Sequence, residues 1–227
     1  MKKLIAVACA CLLVFISEAA LANDKDDVLW AKIIAQHTAG RNWEAQEIRQ
    51  VSEYLHTGSR STFMYALSTM KNRDSQVREY ETILTDSNWQ ALPALDDISK
   101  LRQSIAGMST ILRHTIALDY GKPIRLGNLY LEYKELTVFQ LAASEGFDPV
   151  YTRVWAYVDT GCLQKIETRL GSRIEMTLLY GEANKDGICL PVEFNQSSNF
   201  GTYSSEKRSN LKLLYQDWQP VTNDKAP

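Results

Sequence analysis

The chain has 227 residues, with 25 Lys and Arg against 27 Asp and Glu and a formal net charge of −2. It contains no long basic run, which argues against a nucleic-acid partner. The length suits one domain with a sizeable core, and after residue 22 the apolar stretches are only strand-sized, so no membrane span is expected there.

Lys2 and Lys3 precede an apolar run from Leu4 to Ile16, and Ala20-Leu21-Ala22 is a small-x-small cleavage site. That order is the grammar of a secretory signal peptide, and the run is shorter than the ~20 residues of a membrane helix. Residues 1–22 are therefore expected to be cleaved and the protein to be exported to the periplasm. Residues 23–221 form the expected single domain, and 222–227 a loose tail. Cys9 and Cys11 lie within the apolar run, so no lipid anchor is expected.

Asp24 to Asp27 offer N-caps, Val28, Leu29, Lys32, Ile33 and Gln36 recur at helical spacing, and Gly40 is a stop, predicting a helix over Asp26 to Thr38. Asn42 to Leu55 fits either a helix or a strand. Thr62 to Met70 alternates as a strand, Lys71 to Gln76 turns, and Val77 to Leu84 is a candidate partner strand. From Asp96 to about Leu118, Ile98, Leu101, Ile105, Met108 and Leu112 keep helical spacing behind an acidic N-terminus. Asp119 to Pro123 turns the chain, and the strand signal returns in LGNLYLEY and ELTVFQLAA. Gln196 to Asn210 reads as a polar loop, and Leu211 to Trp218 as a last strand.

Between those last segments, Tyr151 to Phe194 holds four β-rich segments separated by Asp159-Thr160-Gly161, Gly171-Ser172 and Asn184-Lys185-Asp186-Gly187. Such turn signals between period-two segments predict an antiparallel meander. The class is α+β, one antiparallel sheet with helices on one side. Val154, Ala156 and Val158 share one face and Trp155 and Tyr157 the other; Ile174, Met176 and Leu178 repeat this against Leu179. One face is expected to be core, and the other a second packed layer or the wall of a cavity.

Past residue 22 the cysteines are Cys162 and Cys189, a pair that export would oxidise. A simple meander puts them about 10 Å apart, across one intervening strand, while a disulfide needs Cα atoms within about 7 Å. Either the turns curl together, or the strand count differs, or the thiols stay free.

The segment VWAYVD-TG-C-L, with Glu167, Gly171, Tyr180, Asp186-Gly187 and Pro191 in order behind it, resembles the LolA-like lipoprotein-sorting and carrier proteins of the outer membrane. His37, Gly40 and Trp43 near the start and the final LKLLYQDWQPV add to the resemblance, which is best over residues 124–195. Cys162 departs from it. The resemblance implies a strongly curved, partly open antiparallel sheet, a half-barrel, with helices on its concave face and an apolar hollow that holds acyl chains.

Other chemistry is thinly supported. Asp159-Thr160-Gly161 matches an aspartic-protease signature, but one copy would require a homodimer, and a hairpin turn explains the same residues. His37, His56 and His114 show no zinc spacing, and Asn184 to Gly187 has too few acids for a calcium loop. No enzyme activity, cofactor or metal is expected. The expected function is binding of a lipid or acylated protein, with Val154, Ala156, Val158, Ile174, Met176, Leu178, Met108 and Leu112 as pocket residues. The role would be lipoprotein sorting or lipid transport, with a possible envelope protein as partner. The alternatives are a protein-interaction module with a filled core and, less favoured, the protease homodimer.

Overall fold

The computed structural model describes residues 25–56, 62–73, 78–93, 123–144, 150–199 and 207–221. Residues 25–40 form helix α1. Ten strands follow: β1 (Trp43–His56), β2 (Thr62–Arg73), β3 (Arg78–Thr85), β4 (Ile124–Leu131), β5 (Lys134–Ser144), β6 (Val150–Tyr157), β7 (Leu163–Leu170), β8 (Ile174–Ala183), β9 (Cys189–Asn199) and β10 (Lys207–Pro220). All lie in one antiparallel sheet of order β3-β2-β1-β10-β9-β8-β7-β6-β5-β4. The sheet is open, with β3 and β4 at its edges. The expected helix over Asp96 to Leu118, the signal peptide and the tail lie outside the described residues.

Asn42 to Leu55, readable either way, is strand β1. The expected polar loop from Gln196 to Asn210 is largely strand instead: β9 continues to Asn199 and β10 begins at Lys207. These polar residues pair within the sheet. Gln196 Nε2 donates to Ser198 Oγ at 3.0 Å, and Ser198 is buried. The last strand has a further role. It pairs with β9 on one side and with the whole of β1 on the other, so the C-terminus joins the first three strands to the β4–β9 meander.

One cross-strand row organises the core. Phe139, Val154, Ile166, Leu178, Phe194 and Leu213 stand opposite one another from β5 to β10. The row continues through Gln50 on β1 to Ala66 on β2. All eight side chains are buried. Gln50, its one polar member, donates from Nε2 to Ser52 Oγ at 2.8 Å.

Helix α1 is laid across these strands. Asp26 pairs with Arg125 of β4, the Trp30 ring meets Phe139 of β5 at 5.1 Å, and Lys32 Nζ donates to the Asp159 carbonyl in the β6–β7 turn. Gly40 meets Leu190 of β9. Sixteen helical residues reach about 24 Å, and the five strand spacings from β4 to β9 also come to about 24 Å. Ile33 is fully buried, with Leu29, Trp30 and Ile34 packed on the same cluster.

The opposite face of the described sheet is mainly polar. It carries the ladder Gln140, Arg153, Glu167, Thr177, Asn195 and Lys212. Its aromatic rings lie under cations: Lys165 Nζ is 3.8 Å from the Trp155 ring centre and Lys134 Nζ 5.5 Å from that of Tyr157. The aliphatic stems cover the rings and leave the charges in water. On the same face, burial alone would raise the Glu193 pKa, but hydrogen bonds from Lys212 and Asn195 outweigh it and hold the carboxyl below its ordinary value.

Cys162 and Cys189 are bonded, with Cα atoms 5.6 Å apart. The turns curl together, as one of the sequence alternatives required. Pairing of β7 with β8 begins only at Lys165 and Leu179, so the first residues of β7 diverge from β8. Beyond that level β8 follows β9 through two bulges to Ala183 and Cys189. A bulge bends and twists its strand, and here it brings the start of β9 toward the β6–β7 turn. Gly161 completes that turn. Its φ is +73°, and a Cβ there would stand 2.7 Å from Lys32 Cγ, so the turn can seat α1 only with glycine.

The disulfide closes a loop of sequence separation 27, for which chain entropy gives about 3.5 kcal/mol of stabilisation. Cys162→Ser with Cys189→Ser, or reduction of the wild-type protein, should lower the unfolding free energy in urea by roughly that amount. An unchanged urea midpoint would show that the bridge is energetically idle.

Candidate functional site

The strand β10 does not keep its alternation to the end. Tyr215 and Trp218 are three residues apart, which on a regular strand puts them on opposite faces. Between them Asp217 has φ +54°. That left-handed residue resets the alternation, and the two rings meet at 5.9 Å. Trp218 Nε1 donates to the Pro191 carbonyl at 2.8 Å, fixing the indole against β9. On the facing part of β1, Ala45 and Ile48 are likewise both buried. Next to them the α1–β1 connection is tied to the chain end, since the Val221 N–H donates to the Asn42 carbonyl at 2.7 Å.

These irregularities make room for a hollow of about 100 Å³ under the C-terminal end of α1. Ala45, Ile48, Leu178 and Pro191 supply aliphatic wall, and Trp43 and Trp218 supply aromatic wall. Cys189 lies on its border, so the disulfide is part of the frame. Tyr80, Tyr180 and Tyr215 bring three phenols to it. Tyr80 reaches over from β3 and donates to the Ala45 carbonyl at 3.1 Å. Tyr215 is 7% exposed, and its hydroxyl is buried with no hydrogen-bond partner among the described residues. Charged and polar groups also border the hollow: Glu44 is buried and Arg41 is exposed, with His37 and Gly40 contributed by α1.

Burial pushes the Tyr180 hydroxyl above its ordinary range, with the Arg41 charge opposing it. Burial likewise raises Tyr215, and the neighbouring Tyr80 and Tyr180 add to the effect. At ordinary pH the hollow therefore presents neutral phenols, able to donate a hydrogen bond but carrying no charge.

Of the residues expected to form a pocket, Leu178 lines this hollow. Val154 and Ala156 are fully buried in the core cluster, and Met176 packs against it. Val158 is half-buried in the turn after β6, where its N–H donates to the Glu135 carbonyl at 3.0 Å. Ile174 begins β8, paired with Leu170 and Ser198. Met108 and Leu112 lie outside the described residues. His37, expected to cap or pack near a helix end, borders the hollow. Asp159 is exposed in the β6–β7 turn, where its carboxylate accepts from the Thr160 N–H at 2.8 Å.

The raised tyrosines give a pH dependence with a definite sign. A phenol whose folded pKa lies above its unfolded value of 10.0 adds stability that is complete below pH 10 and lost as pH climbs beyond it. Phenolate absorbance should therefore appear together with loss of folded structure above pH 10, and Tyr180→Phe with Tyr215→Phe should move that alkaline transition upward. Ionisation of all tyrosines near pH 10 in a still-folded protein would contradict this burial.

No protein-family model matches the chain, and no curated protein matches it. Among solved structures it aligns with a LolA superfamily protein from Nitrosomonas europaea at 12% identity, covering 86% of this chain and 93% of that one, with a TM-score of 0.38. A DUF1329 family protein from Desulfovibrio piger aligns at 7% identity over 88% of this chain and 94% of its own, with a TM-score of 0.40. The MucA/MucB complex of Pseudomonas aeruginosa aligns at 9% identity over 88% of this chain and 99% of the matched chain, with a TM-score of 0.23. These likenesses span most of the chain and concern the course of the backbone; they carry no argument about a ligand or a partner.

Proposed function

We propose that the protein is a non-enzymatic, exported, LolA-like binding protein that holds an apolar ligand, a lipid or the acyl chain of a lipoprotein, in the hollow beneath the end of α1. The observation that carries this reading is the make-up of that hollow: aliphatic and aromatic walls closed by a helix end, with polar groups gathered on its border. Concave, mainly apolar sites with a few placed polar groups are the usual form of small-molecule sites. Each methylene moved into such a site contributes about 0.8 kcal/mol, so even a short length of chain gives useful affinity. The amino-terminal grammar of a signal peptide and the cysteine pair support export to the periplasm, and there the role would be lipoprotein sorting or lipid transport.

Organic extraction of protein gently purified from its native compartment, followed by mass spectrometry, should recover acyl lipid. In solution the fluorescent probe N-phenylnaphthylamine should bind, and Ala45→Phe, which fills the hollow, should weaken it about tenfold or more. Equal binding by a folded Ala45→Phe protein would place the probe elsewhere and end this reading.

A second reading, an interaction module that adds a partner's strand to a sheet edge, is favoured by β4. All eight of its residues are exposed, including Ile124 at 65% and Tyr130 at 73%, and an open edge offers unpaired backbone groups for strand addition. A photo-crosslinking side chain at Tyr130 should then yield one discrete protein adduct in intact cells while the same side chain at Trp218 yields none. The reverse pattern counts against edge pairing.

A further inference from the structure

The polar tips in the wall of the hollow are not equivalent. Trp218 Nε1 already donates to the Pro191 carbonyl at 2.8 Å. The Tyr80 hydroxyl already donates to the Ala45 carbonyl at 3.1 Å. The Tyr215 hydroxyl is different. It is buried, it belongs to a side chain that borders the hollow, and it has no hydrogen-bond partner among the described residues. Buried hydroxyls are nearly always satisfied, and an exception asks for an explanation.

We propose that Tyr215 is a specificity-determining residue that donates a hydrogen bond to an uncharged oxygen of the ligand, so that the hollow selects a neutral acyl ester or amide over plain hydrocarbon. This rests on the reading of the hollow as an apolar-ligand site and adds the functional group that the ligand must carry. The walls dictate the rest of the ligand. Aliphatic and indole surfaces suit the carbon chain next to the carbonyl. Glu44 and Arg41 both border the hollow, so their opposite charges offset one another for an anion that must also lose its water, whereas a carbonyl loses far less on leaving water. The hydroxyl stays protonated, because burial holds its pKa above the ordinary range, and a protonated phenol is a donor. A ligand without an acceptor leaves this buried hydroxyl as unsatisfied as before, whereas one with an acceptor satisfies it.

Tyr215→Phe removes one oxygen and leaves the ring. Displacement titrations on the purified protein would use two probes, glycerol monolaurate, a neutral ester, and N-phenylnaphthylamine, which has no oxygen. The variant should bind glycerol monolaurate roughly three- to tenfold more weakly, bind N-phenylnaphthylamine as the wild type does, and melt at the same temperature or slightly higher. Unchanged affinity for both probes overturns the proposal, and an equal loss for both reduces Tyr215 to packing. A fall in melting temperature would show that the hydroxyl serves the fold, which also overturns it. If N-phenylnaphthylamine fails to bind the wild type, the hollow itself is not a ligand site and both readings fall. If it binds and the two proteins still treat the ester alike, only the role of Tyr215 fails.

Discussion

Among the described residues, the structure depends on helix α1 meeting many strands on one face. A strand can bury only every second side chain, and an open sheet of ten strands offers far more backbone than a short helix can cover. Laying α1 across the strands resolves the mismatch. Asp26, Trp30, Lys32 and Gly40 touch β4, β5, the β6–β7 turn and β9 in succession. Each strand from β5 to β10 then needs only one apolar residue at the shared level, and the row from Phe139 to Leu213 supplies them. A slip of one residue in any strand would replace its member of that row with an outward-facing group such as Arg153 or Lys165, so the core fixes the register of the whole sheet.

The same constraint explains which parts of the fold were legible in the sequence. Asp159-Thr160-Gly161, Gly171-Ser172 and Asp186-Gly187 are turns because their chemistry is local, and a local pattern is visible in one chain. Helix α1 was visible for the same reason, from its spacing and from Gly40. The strand character of Gln196 to Asn199 was not, since its inward groups are Gln196 and Ser198, paired to each other; a hydrophobic period cannot mark a polar strand. The place of β10 between β9 and β1 depends on pairing across the full length of the domain, and no local signal encodes that.

The hollow was hidden for a different reason. Reading pocket residues by parity led to Val154, Ala156 and Leu178, and parity does lead to the inward face. Most of that face under α1 is simply filled. Space appears where parity fails, at Asp217, at the bulges of β8 and at the Ala45–Ile48 stretch of β1. Tyr215 and Trp218 could have been found only by asking why two large aromatic residues sit three apart at the end of a strand. The left-handed φ of Asp217 is the answer, and no hydrophobic count reveals it.

The disulfide belongs to the same local departure from regularity. Bulges that bend β8 and β9 away from the flat ladder weaken the sheet where the hollow forms, because bulged residues lose ladder partners. Cys162 and Cys189 tie the two turns at that level, and Gly161 beside them lets Lys32 of α1 come close enough to donate to Asp159. Helix, turn and bulged hairpin are thus held at one point. The wall can then depart from ideal strand geometry without opening, and it keeps the Tyr215 hydroxyl buried with no hydrogen-bond partner among the described residues. A filled core would be more stable with phenylalanine at that position. Tyr215 stands there instead, beside Trp218 at the hollow under the end of α1, and that choice of residue is what motivates the proposal of a ligand site.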